Sequence, residues 1–151
     1  MVKRWYVWFL IIVSFDICLG CDKLTTIPEV YIHQESGKVV RVKVEVASKP
    51  EERSLGLMYR RSLEKDKGML FIFNEEKKQT FVMENTYIPL DIIFISRDKR
   101  IVGWSENTKP LSKEKYSIEK PSKYVLEVNA LFCRDHGIKA GSKISFKDIS
   151  E

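Results

Sequence analysis

The sequence contains little of what common catalytic and metal-binding motifs require. Among 151 residues there are three cysteines and two histidines, and the one Cys-x-x-Cys pair, Cys18 and Cys21, falls in the N-terminal segment. Cys133 and His136 have the spacing of one helical face, but the other half of a zinc site is missing. The chain also lacks a phosphate-binding glycine loop, a G-x-S-x-G motif and an H-E-x-x-H motif. We therefore expect no metal and no cofactor, and binding is favoured over catalysis, although neither is decided.

No stretch of the chain carries a long run of one charge. The formal net charge is +5, but lysines are scattered between glutamates, as in "EEKK" at 75–78 and "KEK" at 113–115. Aromatic residues do not interleave with arginines as they do in nucleic-acid-binding surfaces. The excess of positive charge is typical of an ordinary solvated surface, and we expect no nucleic-acid partner.

Long apolar runs are also scarce, and the clearest one lies at the N-terminus. "MVKRW" supplies positive charge, "YVWFLIIVSF" is apolar, and "ICLGC" ends at Cys21. The run is shorter than the roughly 20 residues that span a bilayer, and its layout is typical of a secretory signal. "CLGC" resembles the bacterial lipobox, in which the thiol is acylated, except that Cys18 stands at a usually aliphatic position. An ordinary signal peptide or an uncleaved anchor remains the alternative.

These features predict a division of the chain into three parts. Residues 1–20 form a signal peptide with a lipobox ending at Cys21, residues 21–29 a short tether, and residues 30–151 a single β domain. The lipid on Cys21 then makes the membrane a partner and places the protein in the bacterial cell envelope. Cys133 is left as a lone thiol, unless it forms a disulfide with Cys21.

Period-two patterns dominate the chain after residue 30. "KVVRVKVEVA" alternates valines with charged residues, and "EVYIHQ" before it is a hairpin partner across "ESGK". A helix follows, with Ser48 and Glu51 as a capping box and Pro50 near its first position. Leu55, Met58 and Tyr59 then recur at helical spacing, with Leu57 adjacent, so we expect one side of the helix to pack on the sheet. Gly56 within that turn permits close backbone approach.

The remaining segments also favour strands. "GMLFIF" and "TFVMENT" are strands flanking a charged hairpin loop, "NEEKKQ", and "LDIIFIS" pairs with "IVGWSE". Residues 107–121 form a polar loop, "YVLEVN" and "SKISFKDI" are strands, and "ALFCRDHG" is a short helix ended by Gly137. About eight strands with one or two short helices predict a mainly β fold, a compact antiparallel barrel or sandwich.

The order and spacing of several motifs resemble one protein family. "EERSLGLMYR", "GMLFIF", "FVMENTYIPLDIIFI", "IVGW" and "YVLEV…GIKAGSKI" are similar to domain-of-unknown-function family 192, the UPF0127 proteins, from about Val39 to Phe146. The resemblance implies a jelly-roll-like β fold that is often exported, and it implies no particular reaction. The chain departs from the family pattern at Val82, where a tryptophan is usual, at Leu131, where glycine is common, and at Ser142.

"FVMENTYIPLDIIFI" places polar residues inside an apolar segment, and two interpretations remain open. In the structural one, Asn85 and Thr86 cap a tight crossover. Asp91 then satisfies a backbone amide or an arginine, with Arg60 the natural partner and Arg53 the second candidate.

In the functional interpretation, the polar residues line a ligand site at one end of the barrel: Arg60, Asn85, Thr86, Asp91 and Glu127. A separation of roughly 5–10 Å between Asp91 and Glu127 would suit glycoside cleavage. We therefore expect an exported, lipid-anchored binding or accessory protein with an envelope ligand or protein partner. The alternatives are a carbohydrate-directed hydrolase that uses those two carboxylates, and an interaction scaffold without a small-molecule site.

Overall fold

The computed structural model describes residues 26–150. The predicted signal peptide, Cys21 with its lipid and the first part of the tether lie outside the described residues. None of the helices between residues 26 and 150 has the length and apolar character that a membrane-spanning segment needs. The elements are β1 (Glu29–His33), β2 (Val39–Ala47), α1 (Pro50–Leu55), β3 (Lys67–Lys77), β4 (Thr80–Phe81), β5 (Leu90–Ile95), β6 (Ile101–Ser105), β7 (Tyr116–Ser117), β8 (Ser122–Asn129), α2 (Phe132–His136) and β9 (Lys143–Lys147).

Seven strands form one curled sheet in the order β6-β5-β8-β3-β2-β1-β9, and β4 pairs with β7 separately. The two edges of the large sheet come together, because Arg100 and Lys143 form an isolated antiparallel bridge. The Ile144 amide also donates to the Lys99 carbonyl at 2.7 Å, and the Ile101 amide to Ser142 at 3.0 Å. The prediction of a mainly β, barrel-like fold with two short helices is confirmed.

One strand pair differs from the predicted antiparallel arrangement. β2 and β3 are parallel, with Val44 opposite Gly68 and Val46 opposite Leu70. Parallel neighbours require a crossover rather than a hairpin, and α1 with the segment up to Asp66 makes that connection. Gly68 also permits the close approach of β3 to β8, since a Cβ atom at this position would lie 2.5 Å from the Glu127 carbonyl oxygen.

The curl gives the sheet an inner and an outer apolar face. The inner core takes a residue from every strand of the large sheet: Val30, Val42, Leu70, Ile93, Ile101, Leu126 and Ile144. The outer cluster lies on β3, β5 and β8 and includes Phe71, Ile92, Phe94 and Val125. Because both faces of β5 are covered, all six of its residues are buried, which explains the nearly continuous apolar run "LDIIFI".

The predicted hairpin around "NEEKKQ" is wrong. β3 continues to Lys77 through a bulge and pairs there with Ser122 of β8. Thr80 and Phe81 pair instead with Ser117 and Tyr116 in the polar loop. The charged residues at the end of β3 can remain in an extended strand because this end of the sheet is exposed to solvent. The sequence pattern alone does not distinguish such an exposed strand end from a hairpin loop.

The caps of the two helices follow the predicted chemistry with a shift of one residue in α1. Lys49, not Ser48, is the N-cap, and Glu52 rather than Glu51 accepts from the Ser48 and Lys49 amides, both at 3.0 Å. α2 ends as expected at Gly137, whose φ is +65°.

Candidate functional site

A cleft of about 190 Å³ opens on the outer face of the sheet. Its floor is formed by β3 and β8, and its cover by α1, the turn that follows α1, and the segment from Thr80 to Thr86. The volume is below the roughly 300–1,000 Å³ of pockets for drug-sized ligands. The cleft therefore suits a small molecule or a single side chain of a larger partner.

Three phenylalanines build the apolar part of the cleft. Phe71 and Phe73 alternate along β3, so they share the outer face, and both meet Phe81 edge to face at centroid distances of 5.2 and 6.3 Å. Gly56 brings the turn after α1 onto this wall, because a Cβ atom there would lie 3.2 Å from the Phe71 ring. The glycine of the "GLM" motif thus permits close approach, as the sequence predicts.

Glu127 lies at the floor of the cleft. It is opposite Met69 of β3 and Ile92 of β5, and only 6% of its surface is exposed. The carboxyl group forms no hydrogen bond or ion pair with any residue in the 26–150 range, and burial raises its pKa from 4.5 to about 8. An acid in apolar surroundings without a partner resists ionisation, so Glu127 is predominantly protonated at pH 7.

Arg53 stands at the mouth of the cleft and is already engaged. Its Nη1 donates to the Ile72 carbonyl at 3.1 Å and also to the Ser48 carbonyl. The guanidinium carbon lies 5.2 Å from the centroid of the Phe73 ring. Arg53 therefore ties α1 to β3, and the sequence identified it only as a second candidate partner for Asp91.

Thr86 is the second residue of the predicted site that lines this cleft. It is buried, and its hydroxyl donates to the Glu84 carbonyl at 3.4 Å. The adjacent Asn85 is exposed in the left-handed region at φ +56°, and its carbonyl accepts from the Tyr59 amide at 2.8 Å. These contacts fit the structural interpretation, in which Asn85 and Thr86 brace a turn.

Asp91 is fully buried and bonded to backbone amides. Its Oδ1 accepts from Asn107 and Leu131, and its Oδ2 from Cys133, each at 2.9 Å. The expected pair between Asp91 and Arg60 is not formed, whereas the alternative of backbone amides as partners is what the structure contains. Asp91 also holds Leu131 at a φ of +68°, a conformation that suits the glycine common in the family.

Arg60 pairs with Glu45 on the outer face of β2. Nη2 of Arg60 donates to Oε2 of Glu45 at 2.7 Å, and Nη1 donates to Oε1. The hydrogen bonds from Arg60 lower the pKa of Glu45. Arg60 does not line the Glu127 cleft, whereas Thr86 and Glu127 do.

Asp91 and Glu127 project from opposite faces of the sheet. Asp91 is opposite Val128, whereas Glu127 is opposite Ile92, and directly opposed residues share a face. Val128 belongs to the inner core and Ile92 to the outer cluster. The structure therefore does not bring the two carboxyl groups to a common cleft, as a glycoside-cleaving pair would require.

The sulfur and imidazole groups do not form a second site in the described part of the chain. Cys133 is buried, and desolvation followed by the nearby Asp91 raises the pKa of its thiol. His33 contacts the Ser145 hydroxyl at 2.7 Å, whereas the His136 ring lies against Phe132, with 4.4 Å between the ring centroids. Within 26–150, no group of three or more histidine, cysteine, aspartate or glutamate residues could hold a metal ion.

Together these features define a curled β-sheet domain with a small cleft on its outer face. The chain belongs to the DUF192 family, described as "Uncharacterized ACR, COG1430", whose model matches residues 31–146. This confirms the family resemblance read from the motifs.

Two crystal structures are similar to this fold. One is of "a putative transcription regulator" from Sinorhizobium meliloti 1021, with a TM-score of 0.77 and 37% identity, over 80% of this chain and 94% of that one. The other is of a protein of unknown function from Novosphingobium aromaticivorans DSM 12444, with a TM-score of 0.74 and 35% identity, over 78% of this chain and 83% of that one. No curated protein is similar enough in sequence to match the chain.

The phenylalanine wall is the part of the cleft that sequence reasoning missed. The apolar run "GMLFIF" predicts a buried strand, and its period-two alternation places Phe71 and Phe73 on one face. Phe81 and α1 leave a gap above this face because of the path of the crossover connection from β2 to β3. No local sequence pattern specifies that path.

Proposed function

We propose that this protein is an exported, lipid-anchored binding protein of the bacterial cell envelope, whose ligand enters the cleft above Glu127. The observation that supports the ligand site is the buried Glu127 carboxyl group, which reaches the cleft and has no partner in the described part of the chain. The N-terminal "MVKRWYVWFLIIVSFDICLGC" supports export and anchoring.

Glu127 is a stability cost that a purely structural role does not explain. An apolar side chain at this position would pack against Met69 and Ile92 without a buried acid. Groups with strongly shifted pKa values that lie in clefts are concentrated at functional sites. Proteins retain such destabilising groups where function needs them, and this favours a ligand site over an interaction scaffold.

A fragment-binding experiment tests the ligand site. NMR spectra of the full chain in detergent would be recorded with small cationic, anionic and neutral fragments. We expect at least one class to shift the resonances of Phe71, Phe81 and Met58. Glu127→Gln should weaken that binding at least about 10-fold, because a hydrogen bond to a charged group contributes about 1.5–3 kcal/mol.

The matched control for this experiment is Glu119→Gln. The Glu119 side chain is 89% exposed and pairs with Lys78 at the surface, so this variant should bind like the wild type. Spectra in which no fragment class moves the cleft resonances would contradict the ligand site and favour the scaffold. Equal binding by the wild type and by Glu127→Gln would also contradict it.

The anchor has its own test, metabolic labelling with a radioactive fatty acid. We expect the wild type to be labelled and Cys21→Ala to be unlabelled and released from the membrane fraction, since the thiol is the acylation site. Cys18→Ala is the matched control and should remain labelled. Undiminished label in Cys21→Ala would refute the lipobox.

A further inference from the structure

We infer that the group bound against Glu127 is an ammonium group on a short alkyl chain, as in a small primary amine or a lysine side chain. This inference rests on the proposed function, because it names the ligand class of the same cleft. It concerns the chemistry of recognition and not the identity of one metabolite.

The carboxyl group at the floor supplies the selective contact. It is 94% buried, since 6% of its surface is exposed, and no described residue donates to it. An ionised carboxylate only accepts hydrogen bonds, and an alkylammonium group only donates them. A bound cation would also offset the charge that burial disfavours, which no residue from 26 to 150 does in the free protein.

The walls suit the rest of such a ligand. Phe71 and Phe81 are apolar and aromatic, so they can contact an alkyl chain and attract a cation near their faces. Leu57 and Met58 add to the apolar lining. Alkylammonium groups bury their stems along apolar surface and direct the charge to a polar partner.

The other charged groups near the cleft already have partners. Arg53 at the mouth is bonded to two carbonyls and stacked on Phe73. Glu45 lies on the same outer face beyond Met69, and it pairs with Arg60. Among the described residues that line the cleft, Glu127 is therefore the acid left for a cation.

Binding of the cation is coupled to release of a proton. Glu127 is protonated when its pKa is about 8 and the solution is at pH 7. The ligand nitrogen keeps its protons, and the carboxyl proton passes to solvent as the ion pair forms. At pH 7 we expect about 0.9 proton released for each ligand bound, because about nine-tenths of the carboxyl groups start protonated.

Calorimetric titration of the full chain in detergent provides the test, with three probes of matched size: butylammonium, butanol and butyrate. The affinity for butylammonium should rise about 10-fold between pH 7 and pH 9, because the ionised fraction of Glu127 rises about 10-fold and the amine remains charged. Butanol affinity should not change. In Glu127→Gln the pH dependence should vanish and butylammonium should bind at least about 10-fold more weakly.

The outcomes separate this inference from the proposed function. Butyrate or butanol binding in the cleft more tightly than butylammonium would overturn the ammonium assignment and leave the ligand site in place. If none of the three probes binds, both are overturned. A lysine-containing tripeptide with blocked ends distinguishes the sources: tighter binding than butylammonium identifies a protein lysine, and weaker binding a free amine, and either supports the assignment.

Discussion

The wild type is expected to lose stability as the pH rises from 4 to 9, and Glu127→Gln is expected to abolish most of that loss. The folded-state pKa of Glu127 is raised from 4.5 to about 8, so the folded protein holds a proton that the unfolded chain releases between these values. The contribution of Glu127 to the free energy of unfolding is highest below about pH 4.5, where Glu127 is neutral in both the folded and the unfolded state. It falls as the pH rises to about 8, because the unfolded chain ionises this carboxyl group more easily than the folded protein does. From pH 4 to pH 9, the wild type should lose about 5 kcal/mol relative to the variant.

Urea denaturation of both proteins across this pH range measures the effect. Other groups titrate in both proteins, so the quantity to compare is the difference between their free energies of unfolding. Glu119→Gln removes an exposed carboxyl group and should follow the wild type at every pH. A constant difference between wild type and Glu127→Gln would show that Glu127 is solvated or paired in the folded protein.

Asp91→Ala is expected to destabilise the fold by about 2–4 kcal/mol. The substitution leaves three backbone amides without their acceptor, those of Asn107, Leu131 and Cys133. The amide of Cys133 is fully buried and the other two are partly buried, and a buried donor without a partner costs about 1–3 kcal/mol. Leu131 would also lose a bond that holds it in the left-handed region.

Asp91→Asn should lose less stability than Asp91→Ala. The remaining side-chain oxygen can still accept from the Asn107 and Leu131 amides, while the new amide nitrogen would face the Cys133 amide and leave it without an acceptor. Asp66→Ala is the control. Asp66 pairs with Lys43 at 2.8 Å with half its side chain exposed, and exposed pairs contribute less than about 1 kcal/mol. A loss for Asp91→Ala no larger than that for Asp66→Ala, by thermal or urea unfolding, would refute the structural role.

The two substitutions distinguish two kinds of buried acid. Asp91 is buried with three donors, so it organises the connection from β8 into α2 and stabilises the fold. Glu127 is buried with no donor among residues 26–150, so it destabilises the fold at neutral pH and, under the proposed function, is the group that a ligand would bind. Removing the first should lower stability, whereas removing the second should raise stability at neutral pH and lower binding.

Much of the fold could be predicted from local pattern because each signal depends on neighbouring residues. Alternating valines define β2, "RDKR" separates β5 from β6, and Gly137 ends α2 at a positive φ. The register of Thr80 and Phe81 could not be predicted, since their partners lie more than 30 residues away in the polar loop.

The sequence by itself determined most of the strand content, the end of α2 at Gly137, the family and the burial of Asp91. Only the tertiary structure decided that β2 and β3 run parallel, that Arg60 pairs with Glu45, and that Asp91 and Glu127 point to opposite faces. Period-two alternation specifies which residues of a strand share a side, but not which side of the curled sheet that is. Long-range strand pairing decides which face of the sheet each residue occupies. It places Asp91, which braces the fold, on one face and Glu127, which lines the cleft, on the other.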